Sequence, residues 1–598
     1  MALNPVVLCL SQSGYKIARK IADILGSQIH GREGRVVDVD ATFENALDHI
    51  RVLFSSGTPI VGVCAAGILV RGVAPLLVDK LNEPPVVAVP DDGSTVIPLL
   101  GGHRGANRLA RQIAIGLEAH ASITTAGDIA MGVALDEPPL GYRLQNFKDA
   151  KSVMASLLNG SSVRILGENI FDIHSSSAAE ITLAVSETPM VGDEMTLVYH
   201  PQKYALGLGC ARGCSVDEMW NLVSKCMEEA NIAAGSIASV GSLDLKGDEP
   251  AIIETALRLG VPFRLFEANE LESLTPKLAN PSEVVFTEVG CHGVSEAAAI
   301  ALSGGSLVVE KKKTMNATCA IAKSENIITE MNGRSRGKLS IVGIGPGQHS
   351  WRTPEASALI SEAEELVGYG LYIDILGPLA IGKKRSDFPL GGEEARCRYA
   401  LEEAGKGKNV ALICSGDAGI YAMGALVFEL LDRNENEMGV SDAAKRIEVQ
   451  CTPGVSALQG AAARAGAPLG HDFCTISLSD LLTPREDIIR RLHAAAEGDF
   501  VIAFYNPVSK TRRTLLAEAR EILLKYRPND TPVMLASSLG RPEEEVRYRR
   551  LDELEVDEVD MLTVVLIGSS NSRLANLGEG ARMFTPRGYA RKIDGDLS

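Results

Sequence analysis

Leu339-Ser340-Ile341-Val342-Gly343-Ile344-Gly345-Pro346-Gly347 reads as a short buried strand running directly into a glycine turn, and it decides how the second half of the chain folds. Glycines at such a turn let the backbone approach a ligand closely. A dinucleotide-binding turn would carry a glycine at its sixth position and free amides; here Gln348 stands at the sixth position and Pro346 has no N–H. Pyrophosphate binding is therefore disfavoured. The pattern then repeats. A strand over 410–414 runs into Ser415-Gly416-Asp417-Ala418-Gly419-Ile420-Tyr421, and one over 447–451 runs into Thr452-Pro453-Gly454-Val455-Ser456-Ala457. The intervening run ends in Val367-Gly368-Tyr369-Gly370, without the acidic residue that grips a ribose. Three glycine turns after three strands predict an open α/β sheet with a ligand at its carboxyl edge, where a carboxylate, hydroxyls and carbonyls converge.

Outward from this segment, short apolar runs alternate with amphipathic stretches from the start of the chain, as at 6–10, 15–25, 43–54, 60–64 and 86–89. This predicts a multidomain α/β protein. A first α/β unit covers 1–141 and ends at Glu137-Pro138-Pro139-Leu140-Gly141, and a Ser- and Asn-rich, strand-bearing connector follows over 142–195. A second α/β unit spans 196–323, with helices expected at 217–230 (capped by Ser215), 250–259 and 294–303. Residues 324–337 lose periodicity and read as a linker to two further domains, 338–448 and 449–598.

With 598 residues, about three to five domains are expected. A net charge of −17 and only 5% aromatic residues argue against nucleic acid as a partner, and an anionic small molecule would need a local basic pocket. The most apolar stretch, 60–70, falls short of the roughly 20 residues that cross a bilayer, so no membrane insertion is expected. The start of the chain reads as a buried strand and not as a secretion signal. Eleven scattered cysteines without a Cys-x-x-Cys pair fit a reducing cytoplasm and no metal site; Cys210 and Cys214 read as loop cysteines. The charge runs 542–550 and 551–560 read as solvated surface.

Residues 338 to about 592 resemble the tetrapyrrole methyltransferases, which move methyl groups from S-adenosylmethionine onto corrin and sirohaem precursors. The stretch His471-Asp472-Phe473-Cys474-Thr475-Ile476-Ser477-Leu478-Ser479-Asp480-Leu481-Leu482-Thr483-Pro484, together with Phe504-Tyr505-Asn506-Pro507, Ser509 and Arg512, is similar to the ring-contracting precorrin-3B C17-methyltransferases. The resemblance implies two α/β domains with S-adenosylmethionine in the cleft between them. Gly345, Pro346, Gly416, Asp417, Gly419, Ile420, Ser456 and Ala457 would line that cleft, with Leu478 and Thr563. Proton transfers during ring contraction would fall to Asp417, His471 or Asp480. The carboxylate arms of the macrocycle would meet Asn506 and, first among basic candidates, Arg512, followed by Lys383-Lys384-Arg385, Arg513, and Arg587 with Arg591. The resemblance further implies a tetrapyrrole substrate with or without cobalt, and a homodimer through this half.

The first half carries a second resemblance. Ala65-Ala66-Gly67-Ile68-Leu69-Val70-Arg71, residues 74–80, Leu99-Leu100-Gly101-Gly102-His103-Arg104-Gly105-Ala106-Asn107 and Ile123-Thr124-Thr125-Ala126 resemble the cobalt-precorrin-5A hydrolases, which open a lactone on the macrocycle and release acetaldehyde. So do Gly207 to Gly213, Ser242 to Glu249, Val294 to Ala299 and Lys311 to Ala322. Lactone opening needs a base to activate water and donors for the developing oxyanion; His103 on its glycine loop, or Lys246 with Glu249, would supply them. The expected protein is a bifunctional enzyme of corrin-ring synthesis. The alternatives are a first half that binds the macrocycle without catalysis, or a methylase acting at another ring carbon.

Overall fold

The computed structural model describes residues 4–77, 83–124, 134–177, 179–509 and 512–594, and not the side chains of His103, Glu435, Ala590 and Arg591. The first unit is a seven-stranded sheet in the order Ala41–Phe43, Gln28–Arg32, Val6–Cys9, Ile60–Val63, Val86–Val89, Thr95–Leu100, His120–Ala121. Its first five strands are parallel, and the three central ones are buried at every position, which is why they read as continuous apolar runs.

Residues 142–201 build a layer of their own. Strands Tyr142–Leu144, Thr196–Pro201, Ile181–Val185 and Val163–Leu166 form a sheet, and helix Ala150–Leu158 packs Val153 against Ile181, Leu183, Leu197 and Tyr199. The Tyr199 hydroxyl donates to Leu135 O at 2.7 Å. The stretch read as a connector thus has a core, which its polar turns hide in the sequence, and the last strand of its sheet, Thr196–Pro201, lies wholly beyond residue 195.

The next sheet has the order Ser306–Lys313, Ala317–Lys323, Tyr204–Cys210, Ile237–Leu243, Phe263–Phe266, Arg334–Ser335. Helices Val216–Glu229, capped by the Ser215 hydroxyl, and Pro250–Leu259 fall within one residue of their expected bounds. The edge strand Arg334–Ser335 comes from the segment read as a linker. Arg264 holds it by donating to Asn332 O (3.2 Å), Met331 O (3.1 Å), Gly333 O (2.5 Å) and Ser335 Oγ (2.5 Å). Such guanidinium-to-carbonyl bonds order a strand without any apolar periodicity to reveal it.

Beyond residue 337 lies an all-parallel sheet in the order Lys384–Phe388, Glu365–Tyr369, Asn409–Cys414, Lys338–Gly343, Glu448–Thr452. A mixed sheet follows in the order Phe473–Ser477, Val501–Tyr505, Thr563–Ile567, Pro532–Ser537, Glu545–Arg550. The two halves of the chain touch. Val52 packs into the apolar cluster of Ile360, Leu376 and Leu379, and Asp244 pairs with Arg446 at 3.5 Å. Among the described residues, no helix is long and apolar enough to cross a membrane.

Candidate functional site

Lys338–Gly343 lies between Asn409–Cys414 and Glu448–Thr452, so the topology alone sets the three glycine turns side by side at the carboxyl edge of one sheet. The turns then lock together. Gly345 N donates to Gly416 O (3.1 Å) and Gly416 N to Gly345 O (2.9 Å), with both glycines at positive φ (+77° and +69°). A Cβ on Gly343 would stand 2.8 Å from Gly416 O and 3.1 Å from Gly454 Cα, so only glycines allow this approach. The Asp417 carboxylate accepts from Gly419 N through Oδ1 (2.8 Å) and from Gly454 N through Oδ2 (2.9 Å), tying the second turn to the third. Ser456 caps helix Ala457–Ala465 in a reciprocal pair with Gln459, which fixes the third turn at a helix start.

The following domain supplies the opposite wall of a cleft of about 180 Å³. Tyr505, Asn506, Ser538, Leu539, Arg541, Leu562 and Thr563 face Pro346, Gly416, Asp417, Ile420, Tyr421, Ser456 and Ala457. Three of these residues, Tyr421, Asn506 and Ser538, hold a positive φ of 50°, 49° and 50° without being glycine. Backbone strain of this kind persists where the surroundings over-determine it. The Tyr421 hydroxyl donates to Thr475 O (2.9 Å), and its ring lies 5.2 Å from that of Tyr505. Burial pushes the Tyr505 phenol above its ordinary value, and its oxygen accepts from Leu458 N at 2.9 Å. Trp351, just after the first turn, packs on Gly460 and lies 4.7 Å beneath the Arg464 guanidinium, which is paired with Glu544. The two domains grip each other beside the cleft.

Of the residues expected at the cofactor, Pro346, Gly416, Asp417, Ile420, Ser456, Ala457 and Thr563 line the cleft, and Gly345 and Gly419 brace its turns. Asn506 lines it too and donates from Nδ2 to Ser477 Oγ (3.2 Å). Leu478 does not line it: its side chain is 1% exposed in the core with Ile488 and Leu516. Arg512 reaches back to Leu478 O (3.5 Å) and Asp480 (4.0 Å), and Asp480 also pairs with Arg485 (3.8 Å), so neither is among the cleft's lining residues. His471, 59% exposed, precedes strand Phe473–Ser477. That strand touches cleft-lining residues at Thr475 and Ser477, and His471 itself is not among the lining residues. The basic run at 383–385 is consumed internally: Lys383 caps Ser361 O and Ala363 O, Lys384 joins the buried Glu365, and Arg385 pairs with Asp374 and Asp387. Arg513 is held by Asp557, and the Arg591 side chain lies outside the described residues. Sequence reading missed Tyr372, Tyr421, Ser538 and Arg541 as lining residues. For Arg541 a signal existed in Gly540-Arg541-Pro542, a turn bordering the run read as solvated surface.

In the first half, the His103 side chain is outside the described residues, as are residues 78–80 and 125–126 of the motifs. Lys246 and Glu249 do come together, at 3.7 Å, where strands Tyr204–Cys210 and Ile237–Leu243 end. The Glu249 side chain is 1% exposed, lies 3.3 Å from Arg212, and leaves Oε1 without a hydrogen bond. Burial pushes the nearby Cys210 thiol up to about 12, which makes it a poor nucleophile. Glu296 is the counter-example. Its carboxylate accepts from Ala279 N, Asn280 N, Asn280 Nδ2 and Lys311 N, a fully satisfied structural joint. Among the described residues, no group of three metal-ligating side chains converges.

With this geometry in place, three family models match the chain: tetrapyrrole (corrin/porphyrin) methylases at 338–555, cobalamin synthesis G N-terminal at 48–128 and cobalamin synthesis G C-terminus at 204–322. The precorrin-3B C(17)-methyltransferase of a Sinorhizobium species is 42% identical over 255 residues, covering 42% of this chain and 98% of that protein. The chain belongs to the tetrapyrrole methylase family. A cobalt-factor III methyltransferase of Priestia megaterium is 42% identical over 259 residues, 43% of this chain and 46% of its own, so the chain spans about half of that relative. The solved methyltransferase CobJ is 36% identical, covering 42% of this chain and 100% of its own, at a TM-score of 0.39. For a methylase, locked turns on one side and a strained, buried wall on the other provide the alignment and exclusion of water that in-line transfer requires.

Proposed function

We propose that the chain is a bifunctional enzyme of corrin-ring synthesis. Residues 338–594 would methylate C17 of precorrin-3B, or of its cobalt form, with ring contraction, and the first half would open the lactone of a later intermediate. The observation that carries the first activity is the backbone cradle of Gly343, Gly416 and Gly454, packed so closely that a Cβ on Gly343 or Gly454 would collide with it, beside a cleft between two domains. The cradle fits S-adenosylmethionine, which would supply the activated methyl group. Pro346, Gly416, Ile420, Ser456, Ala457 and Thr563 would hold and orient it, and Asp417 keeps the turns in register. Of the three acids and bases considered for proton transfer, only Asp417 reaches the cleft, and both its oxygens already accept amides. Its role is positioning. Relatives named for C17 methylation support this ring position.

For the first half, the matches at 48–128 and 204–322 and the buried Glu249 between Arg212 and Lys246 support lactone opening over mere binding. Lys246 would stabilise the oxyanion, with Glu249 holding it in place. Free cysteines, most of them buried, fit the cytoplasm, and a homodimer through the methylase half is the proposed assembly. Full-length protein given precorrin-3B and labelled S-adenosylmethionine should place label at C17 by carbon NMR; label at another ring carbon overturns the assignment. Offered the lactone intermediate, it should release acetaldehyde, and Lys246→Met should stop that release without affecting methylation. Binding without release would make the first half a binding module.

A further inference from the structure

Tetrapyrrole precursors and the methionine end of S-adenosylmethionine both present carboxylates, and a cleft that takes them needs a cation not already spent on the protein. Among the described residues, Arg541 is the single basic one lining the cleft. It is half-buried, and among the described residues its guanidinium makes one hydrogen bond, from Nε to Pro346 O at 3.3 Å, and no ion pair. A guanidinium carries five donors, so its forked end remains available. The acids that would neutralise it are engaged elsewhere. Glu544, three residues on, is taken by Arg464 (2.5 Å) and by Gly540 N (2.6 Å). Asp417, across the cleft, has both oxygens on backbone amides. The stem is also held: Gly540 and Arg541 interleave so tightly with Gly347 that a Cβ there would stand 2.7 Å from Arg541 Cγ and from Gly540 O. Arg512, by contrast, is turned onto Leu478 O and Asp480.

We infer that Arg541 is the carboxylate anchor of the cleft, gripping an acidic arm of the bound ligand in a forked pair across the domain interface. The inference rests on the methylase reading and names one contact within it. Pre-organised between Pro346 and Gly347, the fork loses little side-chain freedom on binding.

The test uses the full chain, its Arg541→Gln and Arg541→Lys variants, and two probes. Uroporphyrin, with its octamethyl ester as control, is titrated by fluorescence; S-adenosylhomocysteine is titrated by calorimetry. With Arg541→Gln, uroporphyrin should bind about tenfold more weakly. The ester should show no change, Arg541→Lys should recover part of the loss, and the melting temperature should hold. If instead S-adenosylhomocysteine weakens and uroporphyrin does not, the gripped carboxylate is that of the methionine end and the anchor stands. Unchanged affinity for both probes overturns the inference. An unmodified chain that binds uroporphyrin but not S-adenosylhomocysteine, with the Arg541 effect intact, would overturn the methyl-transfer reading and leave the anchor.

Discussion

At Gly454 the site depends on the absence of a single methyl group. A Cβ there would collide with Gly416 O and lie within 3.0 Å of Gly343. Gly454→Ala should therefore push the turns apart, lower stability by about 1–3 kcal/mol and abolish S-adenosylhomocysteine binding. A calorimetric titration showing parent-like affinity would refute the cradle. Asp417→Ala leaves two amides, Gly419 N and Gly454 N, without their acceptor. It should weaken the same ligand at least tenfold and also lower the melting temperature, because each hydrogen bond to a charged group contributes about 1.5–3 kcal/mol. Asp417→Asn should not rescue it, since its Nδ2 would turn a donor toward one of the two N–H groups. These residues were legible in the sequence because glycine and an acid after a strand have few other reasons to recur. Leu478 and His471 were not separable from them, since a motif does not say which way a side chain faces.

Two elements carry consequences of their own. His30, on strand Gln28–Arg32, lies 2.9 Å from His49 on helix Ala46–Ser55, and both are buried. Burial holds His30 down to about 4 and His49 to about 3. Both values lie below the unfolded 6.5, so the unfolded chain binds more protons between these limits. The stability is intact above pH 6.5 and is lost as pH falls toward 4 and then 3, by roughly 3 kcal/mol for His30. Urea midpoints should fall between pH 7 and pH 5, amide hydrogen exchange of residues 28–32 should quicken over the same range, and a His30→Gln, His49→Gln double variant should flatten both. At the other boundary, Arg264 straps strand Arg334–Ser335 to its sheet. Trypsin should cut slowly after Arg334 and Arg336 in the parent and at least tenfold faster in Arg264→Ala. Equal rates would mean that the strap does not hold. The helices were legible here from their caps and period. The strap was not, because one long-range arginine supplies what local pattern cannot.

Across the whole molecule, the two halves make direct contact through Val52 and through Asp244 with Arg446. Fusion raises the effective concentration of each domain near the other. The full chain should carry an unstable intermediate through both steps with higher flux than an equimolar mixture of residues 1–337 and 338–598; equal flux would show that fusion confers no kinetic gain. The α/β class, the strand-and-turn rhythm and the glycine turns were determined by sequence alone, because apolar period and glycine's missing Cβ are local properties of the chain. Tertiary structure alone decided that both Asp417 oxygens accept backbone amides, that Arg512 turns onto Asp480 while Arg541, among the described residues, has no acidic partner, and that residues 142–201 have a core. Partnering and burial join residues far apart in the chain, and only the folded backbone sets which charges meet and which are left for a ligand.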